Sequence, residues 1–147
     1  MHDLGKIAVD DAILRKPGKF TDEEYEIMKK HSAEGARIIE NVLSEVDDAE
    51  FKQIAKNIAH FYHEKYNGQG YPDGLKETQI PLEARIMALA DVFDALVSKR
   101  CYKDTFSYDK AFSIIEESLG SHFDPVLGKI FISCRPKLEE LYNSLYR

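Results

Sequence analysis

Residues 60–74 read HFYHEKYNGQGYPDG. The window opens at the end of an apolar helical pattern, Phe51, Ile54, Ile58 and Phe61, which predicts a helix over 49–65. It then turns glycine-rich, and Gly68, Gly70, Pro72, Gly74 and Pro81 make 66–82 a long non-helical connection. A loop of that length within a compact domain usually carries function. Two histidines and Glu64 stand at the junction of helix and loop. The other informative residues are brought to this stretch from elsewhere: His2 with Asp3, His31, and Asp91 with Asp94. Histidines and acids spread in this way, each on or beside an apolar segment, point to a metal site assembled from several helices.

On the N-terminal side, His2-Asp3-Leu4-Gly5 reads as the last turn of a helix, and 10–15 as one turn stopped by Lys16-Pro17-Gly18-Lys19. Thr21 with Glu24 forms a capping box that opens a helix through Tyr25 and Met28. His31 falls where that helix is expected to end or bend, with Ser32 as a new cap. Ala36, Ile39, Val42 and Leu43 then continue at helical spacing. On the C-terminal side, Pro81 and Glu83 start a helix over 83–98. Ser107 caps another that runs to Leu119-Gly120, and Asp124-Pro125 opens the last, which Pro136 should kink or divide. Alternating strand patterns are absent, so the fold class is all-α, with about five to seven helices.

The helix over 83–98 gives the strongest argument from residues alone. Between Ile86 and Val97 every residue is apolar except Asp91 and Asp94. A helix apolar all round is a buried one, and a buried carboxylate is paired or binds a metal. A salt bridge to a buried arginine or a helix cap would serve as well. Taken singly, His122 reads as a satisfied core or surface histidine, Phe61 and Tyr62 as packing residues, and Arg100 and Lys103 as solvated charges.

Composition bounds the answer. A chain of 147 residues with 44% hydrophobic and 31% charged residues is expected to form one domain with a proper core. The net charge of −6 argues against general nucleic-acid or anionic-membrane binding. Cys101 and Cys134 are isolated, as expected of free thiols in a reducing cytoplasm, and the acidic start MHDLGKIAVDD does not read as a signal peptide. No apolar run is long enough to span a bilayer.

Several longer segments resemble the HD-GYP family, a branch of the HD superfamily of metal-dependent phosphohydrolases. They are HDLGKIAV, ILRKPGKFT, MKKH followed by SAEG, YHEKYNGQGYPDGL, IPLEARIMALADVFDALVSKRCYK and GSHFDP. The resemblance covers nearly the whole chain and implies a single HD-GYP-type helical domain over 1–147, lacking the family's helix upstream of the HD pair. It implies Fe or Mn ions, two at most here, and hydrolysis of cyclic di-GMP or a related cyclic dinucleotide. The metal ligands it implies are His2, Asp3, His31, His63 and Asp91, with Lys6 and Asp3 in catalysis. Asp94, Arg100 and Lys103 match positions that engage the nucleotide, and Gly70-Tyr71-Pro72 is the loop that names the family. That loop is thought to meet diguanylate cyclase domains.

The pattern departs from the family where the first histidine of His-His-Glu is Tyr62. His60 does not replace it, because the two lie about 160° apart around the helix. The alternative expectation is a degenerate module that binds nucleotide or a partner without turnover.

Overall fold

The computed structural model describes residues 21–98 and 105–146. His2, Asp3, Lys6, the turn over 10–15, Arg100, Cys101 and Lys103 lie outside them. The described residues form six helices: α1 (Asp22–Val42), α2 (Ala49–Phe61), α3 (Leu82–Val97), α4 (Tyr108–Glu117), α5 (Pro125–Ser133) and α6 (Arg135–Leu145), with a 3₁₀ turn at Glu77–Gln79. No strand occurs among them, only isolated bridges at Asn67–Lys76 and Leu119–Phe123. The all-α expectation holds. None of these helices is long and apolar enough to cross a membrane.

Helix α1 starts as expected. Thr21 Oγ1 accepts from the Glu24 N–H at 3.2 Å, and Glu24 Oε2 accepts from the Thr21 N–H at 2.7 Å. It does not end or bend at His31, and Ser32 caps nothing. The helix runs unbroken for 21 residues because Met28, His31, Ser32, Gly35, Ala36 and Ile39 form one continuous buried face. Burying that face outweighs the weak preference of an interior serine for a cap.

Helix α2 is shorter than the sequence predicts, ending at Phe61 with Tyr62 as its C-cap. Its buried side also differs. Phe51 and Ile54 are largely exposed, at 46% and 40%, and the buried side is Ala55, Ala59 and Tyr62. Two alanines one turn apart let α2 approach α1 closely, which a stripe of Phe and Ile would prevent. Ile39 packs with this alanine pair, and Leu43 flanks it.

Helix α3 is not buried all round. Its inner face is Ala84, Ala88, Leu89 and Phe93, of which the last three join Ala111, Phe112, Ile115 and Phe123 in the main core, while Leu82 and Ile86 stand half exposed. Asp91 and Asp94 are therefore half-buried rather than fully buried. Ser107 caps α4 by accepting from the Lys110 N–H, and Asp124 caps α5 with Pro125 in the first turn. Pro136 divides the last segment as expected: α5 ends at Ser133 and α6 begins at Arg135, with Cys134 at the junction.

The connection from Tyr62 to Pro81 is ordered by polar groups. Glu64 is 2% exposed, and its carboxylate takes three backbone donors: Asp73 N–H at 2.7 Å and Gly74 N–H at 3.1 Å on Oε1, and Leu75 N–H at 3.1 Å on Oε2. Burial pushes its pKa upward, against these three bonds that favour the ion. Gly70 sits so tightly on the same turn that a Cβ there would meet Lys65 N at 2.3 Å and His63 O at 2.5 Å. No other residue fits without displacing backbone.

The loop is also tied to the GSHFDP segment: Tyr66 N–H donates to His122 O at 3.1 Å and Asn67 N–H to Ser121 O at 2.9 Å. Where it rejoins α3, Arg85 donates to Ile80 O at 2.9 Å and to Asp124 Oδ2 at 2.6 Å. Burial alone would raise the Asp124 pKa, but Arg85 and the Val126 and Leu127 amides hold it below the usual carboxylate range.

Replacing Glu64 with Gln leaves the side chain's shape but sets an amide N–H₂ against one backbone donor. We expect a loss of about 1–3 kcal/mol in urea unfolding. Faster hydrogen exchange at 73–75 should accompany it. The His122 imidazole is pushed down to about 4, first by burial and then by the Lys65 charge, so it stays neutral in the folded chain. The unfolded chain takes up that proton near the ordinary value of about 6.5. Stability from this group is therefore complete above pH 6.5 and falls as pH drops towards 4, by at most about 3 kcal/mol. His122→Phe should flatten the unfolding midpoint across that window.

Candidate metal and nucleotide site

The site grows from the seam between α1 and α2. His31 lies on the buried face of α1 and is 1% exposed. Its Nδ1 meets the Met28 carbonyl, which can only accept, so Nδ1 carries a proton, and in the neutral ring Nε2 keeps its lone pair. This carbonyl–histidine pairing is the one that typically orients a metal-ligating imidazole. The Tyr62 hydroxyl lies 3.3 Å from Nε2, a long hydrogen bond.

His63 follows directly on the end of α2. Its ring stands edge-on to His31 with centroids 4.9 Å apart, and Tyr62 lies 3.9 Å from it at 37°. Tyr71 stacks on the other side of His63 at 4.7 Å and 30°, and Tyr25 of α1 meets Tyr71 edge-on at 5.3 Å. Lys29, one turn after Tyr25, lies 5.2 Å from the centre of that ring. Tyr71 N–H donates to His63 O at 3.3 Å, and the Tyr71–Pro72 peptide is cis.

The structure thus joins His31, His63 and Tyr71 as one aromatic cluster. Tyr62 is buried at 2%, as expected of a packing residue, and its hydroxyl is hydrogen-bonded. His60 turns to Asp73, with Nε2 3.5 Å from Oδ2, and does not stand in for Tyr62. Asp91 and Asp94 share a side of α3, being three residues apart. Ser98 Oγ donates to Asp94 Oδ1 at 2.8 Å and Tyr142 OH to the same oxygen at 3.1 Å. Among the described residues no three His, Cys, Asp or Glu side chains converge as a metal-binding group. His2, Asp3, Lys6, Arg100 and Lys103 lie outside the described residues.

Sequence reasoning placed Glu64 at the junction of helix and loop without giving it a role, and did not single out Tyr25 or Tyr142 as site residues. Glu64 had a signal: an acid directly before a glycine-rich loop that offers many backbone N–H groups. Tyr25 had one too, lying three residues before Met28 on the buried face of α1. Tyr142 had none, because its role depends on where α6 docks.

The chain is similar over most of its length to known proteins. The family model described as HD domain matches residues 1–127. A cyclic di-GMP phosphodiesterase of Vibrio cholerae is 47% identical over 137 residues, covering 93% of this chain and 28% of that protein. The cyclic di-GMP phosphodiesterase response regulator RpfG of Xanthomonas campestris is 43% identical over 141 residues, covering 96% and 36%. A crystal structure of a cyclic GMP-AMP specific phosphodiesterase from V. cholerae superposes with a TM-score of 0.59 at 28% identity, over 82% of this chain and 25% of that one. The chain thus spans between a quarter and about a third of the length of these relatives. With the family model matched over 1–127 and the motif Gly70-Tyr71-Pro72 present, its Tyr71 ring stacked on His63, the chain belongs to the HD domain family, in its HD-GYP branch.

Proposed function

We propose that this chain is a metal-dependent phosphodiesterase domain acting on cyclic di-GMP or a related cyclic dinucleotide. The observation that carries the reading is His31 beside His63, with the His31 tautomer set by the Met28 carbonyl so that Nε2 can ligate. His31, His63 and Asp91, together with His2 and Asp3, would hold Fe or Mn, two ions at most. When bound, such ions supply an activated nucleophile at neutral pH and neutralise charge on the phosphodiester. Asp3 and Lys6 serve the reacting phosphate, Lys6 as a cation facing it. Arg100 and Lys103 offset the charge of the dinucleotide's phosphates, and Asp94 accepts from its N–H or O–H groups. Gly70, Tyr71 and Pro72 wall the site beside His63, and their outer face is the candidate contact for a diguanylate cyclase domain.

A second reading, a nucleotide-binding module without turnover, draws on Tyr62. Its hydroxyl occupies the hydrogen-bonding direction of His31 Nε2, where a metal would need the lone pair. A phenol with an ordinary pKa near 10 is a poor neutral-pH ligand compared with imidazole.

Purified protein is expected to carry Mn or Fe and to hydrolyse cyclic di-GMP, with His63→Ala losing both metal and turnover while keeping its helical circular dichroism. Metal-free wild-type protein that stays inactive with added Mn or Fe(II), yet still binds cyclic di-GMP, would favour the second reading. Tyr62→His is expected to raise metal stoichiometry and the hydrolysis rate at saturating Mn, at a cost of about 1–3 kcal/mol from lost packing. Unchanged metal content and rate in that variant would clear Tyr62 as the weak point.

A further inference from the structure

We propose that Tyr142, on the last helix, is a positioning residue for Asp94, fixing the rotation of its carboxylate for the incoming cyclic dinucleotide; this rests on the reading of Asp94 as a substrate contact. Helix α6 lies beyond residue 127, where the match to the HD domain model ends.

Three residues of α6, Arg135, Tyr142 and Asn143, anchor it to the rest of the fold. Tyr108 OH donates to Asn143 Oδ1 at 3.1 Å. Arg135 pairs with Glu139 and with Asp109, and its guanidinium lies 5.2 Å from the centre of the Phe112 ring. The Tyr142 ring meets Phe93 edge-on at 5.3 Å, and Phe93 is the residue just before Asp94. Core packing therefore fixes the ring, and the ring places its hydroxyl on Asp94 Oδ1.

A second donor completes the arrangement. Ser98, one turn after Asp94, gives its single proton to the same Oδ1, and Ser98 Oγ lies 2.8 Å from Tyr146 OH. Since the serine proton is used on the carboxylate, Tyr146 is the donor in that contact. Tyr142 and Tyr146 are one turn apart on α6, with rings stacked at 6.1 Å. Two donors meeting one carboxylate oxygen, one from the C-cap of α3 and one from α6, define the plane of the group, which a lone aspartate on a helix surface would sample freely. Burial, then the Asp94 charge and the hydrogen bond to it, push the Tyr142 phenol far above its usual range. It stays protonated at neutral pH and acts only as a donor to this acid. An ionised carboxylate accepts only, so its partner on the ligand is a base N–H or a ribose hydroxyl, not a phosphate oxygen.

The test is Tyr142→Phe, which keeps the ring and removes the hydroxyl, compared with Asp94→Asn and the double variant in the full chain. Hydrolysis of cyclic di-GMP gives KM and kcat, and calorimetric Kd serves even where turnover is slow. Tyr142→Phe is expected to raise KM and Kd about 3–10-fold while kcat stays within about twofold. In the Asp94→Asn background it should add nothing, because the oriented carboxylate is already gone. An Asp94→Asn variant that binds weakly beside a Tyr142→Phe variant that binds like wild type overturns the proposal alone. So does a Tyr142→Phe effect that persists in full when Asp94 is absent. If Asp94→Asn itself binds like wild type, the reading of Asp94 as a substrate contact fails and takes the proposal with it.

Discussion

The Glu64 carboxylate and its three backbone donors are the constraint on which the site depends. A buried acid without partners would cost several kcal/mol, and a loop with three unpaired amides would be equally costly. Each solves the other's problem. The bonds run from residue 64 to residues 73–75 and close the loop into a ring whose inner wall is the Gly70 backbone against His63–Lys65. Inside that ring the Tyr71 side chain has little choice but to lie on His63. The family motif is thus a single mechanical unit, in which the acid holds the loop and the glycine admits it.

How much of this was legible follows from what each feature depends on. The caps at Thr21, Ser107 and Asp124 and the division at Pro136 are local, and each appears as expected. The bend at His31 failed because a serine in a helix interior resembles a cap until the face it shares with Met28 and Ile39 is known to be buried. The stripe on α2 failed for a related reason. Hydrophobicity marked Phe51 and Ile54, but the contact with α1 selects for small size, and so Ala55 and Ala59 are inside. The supposed burial of α3 on all sides overlooked that a helix can be apolar where it is still half open to solvent.

For the site, the sequence and the family resemblance named His31, His63 and Tyr71, and the folded chain brings them together. Tyr62, read from the sequence as a packing residue, is buried on the same side as Ala55 and Ala59. The roles of Glu64 and Tyr142 escaped because their partners lie beyond the local helical turn: a loop's amides in one case, a different helix in the other. Neither contact leaves a periodicity to read.

Among the described residues the apolar interior falls into two clusters. Ile39, Ala55 and Ala59 make a small cluster between α1 and α2, separate from the larger one that joins α3 to α6. Local opening in proteins follows such divisions, with the smaller unit the first to exchange. His31 and His63 ride on the smaller unit, Asp91 and Asp94 on the larger. A ligand gripping residues from both would act as a clasp across the seam, so that occupancy of the site and cohesion of the two halves become one equilibrium.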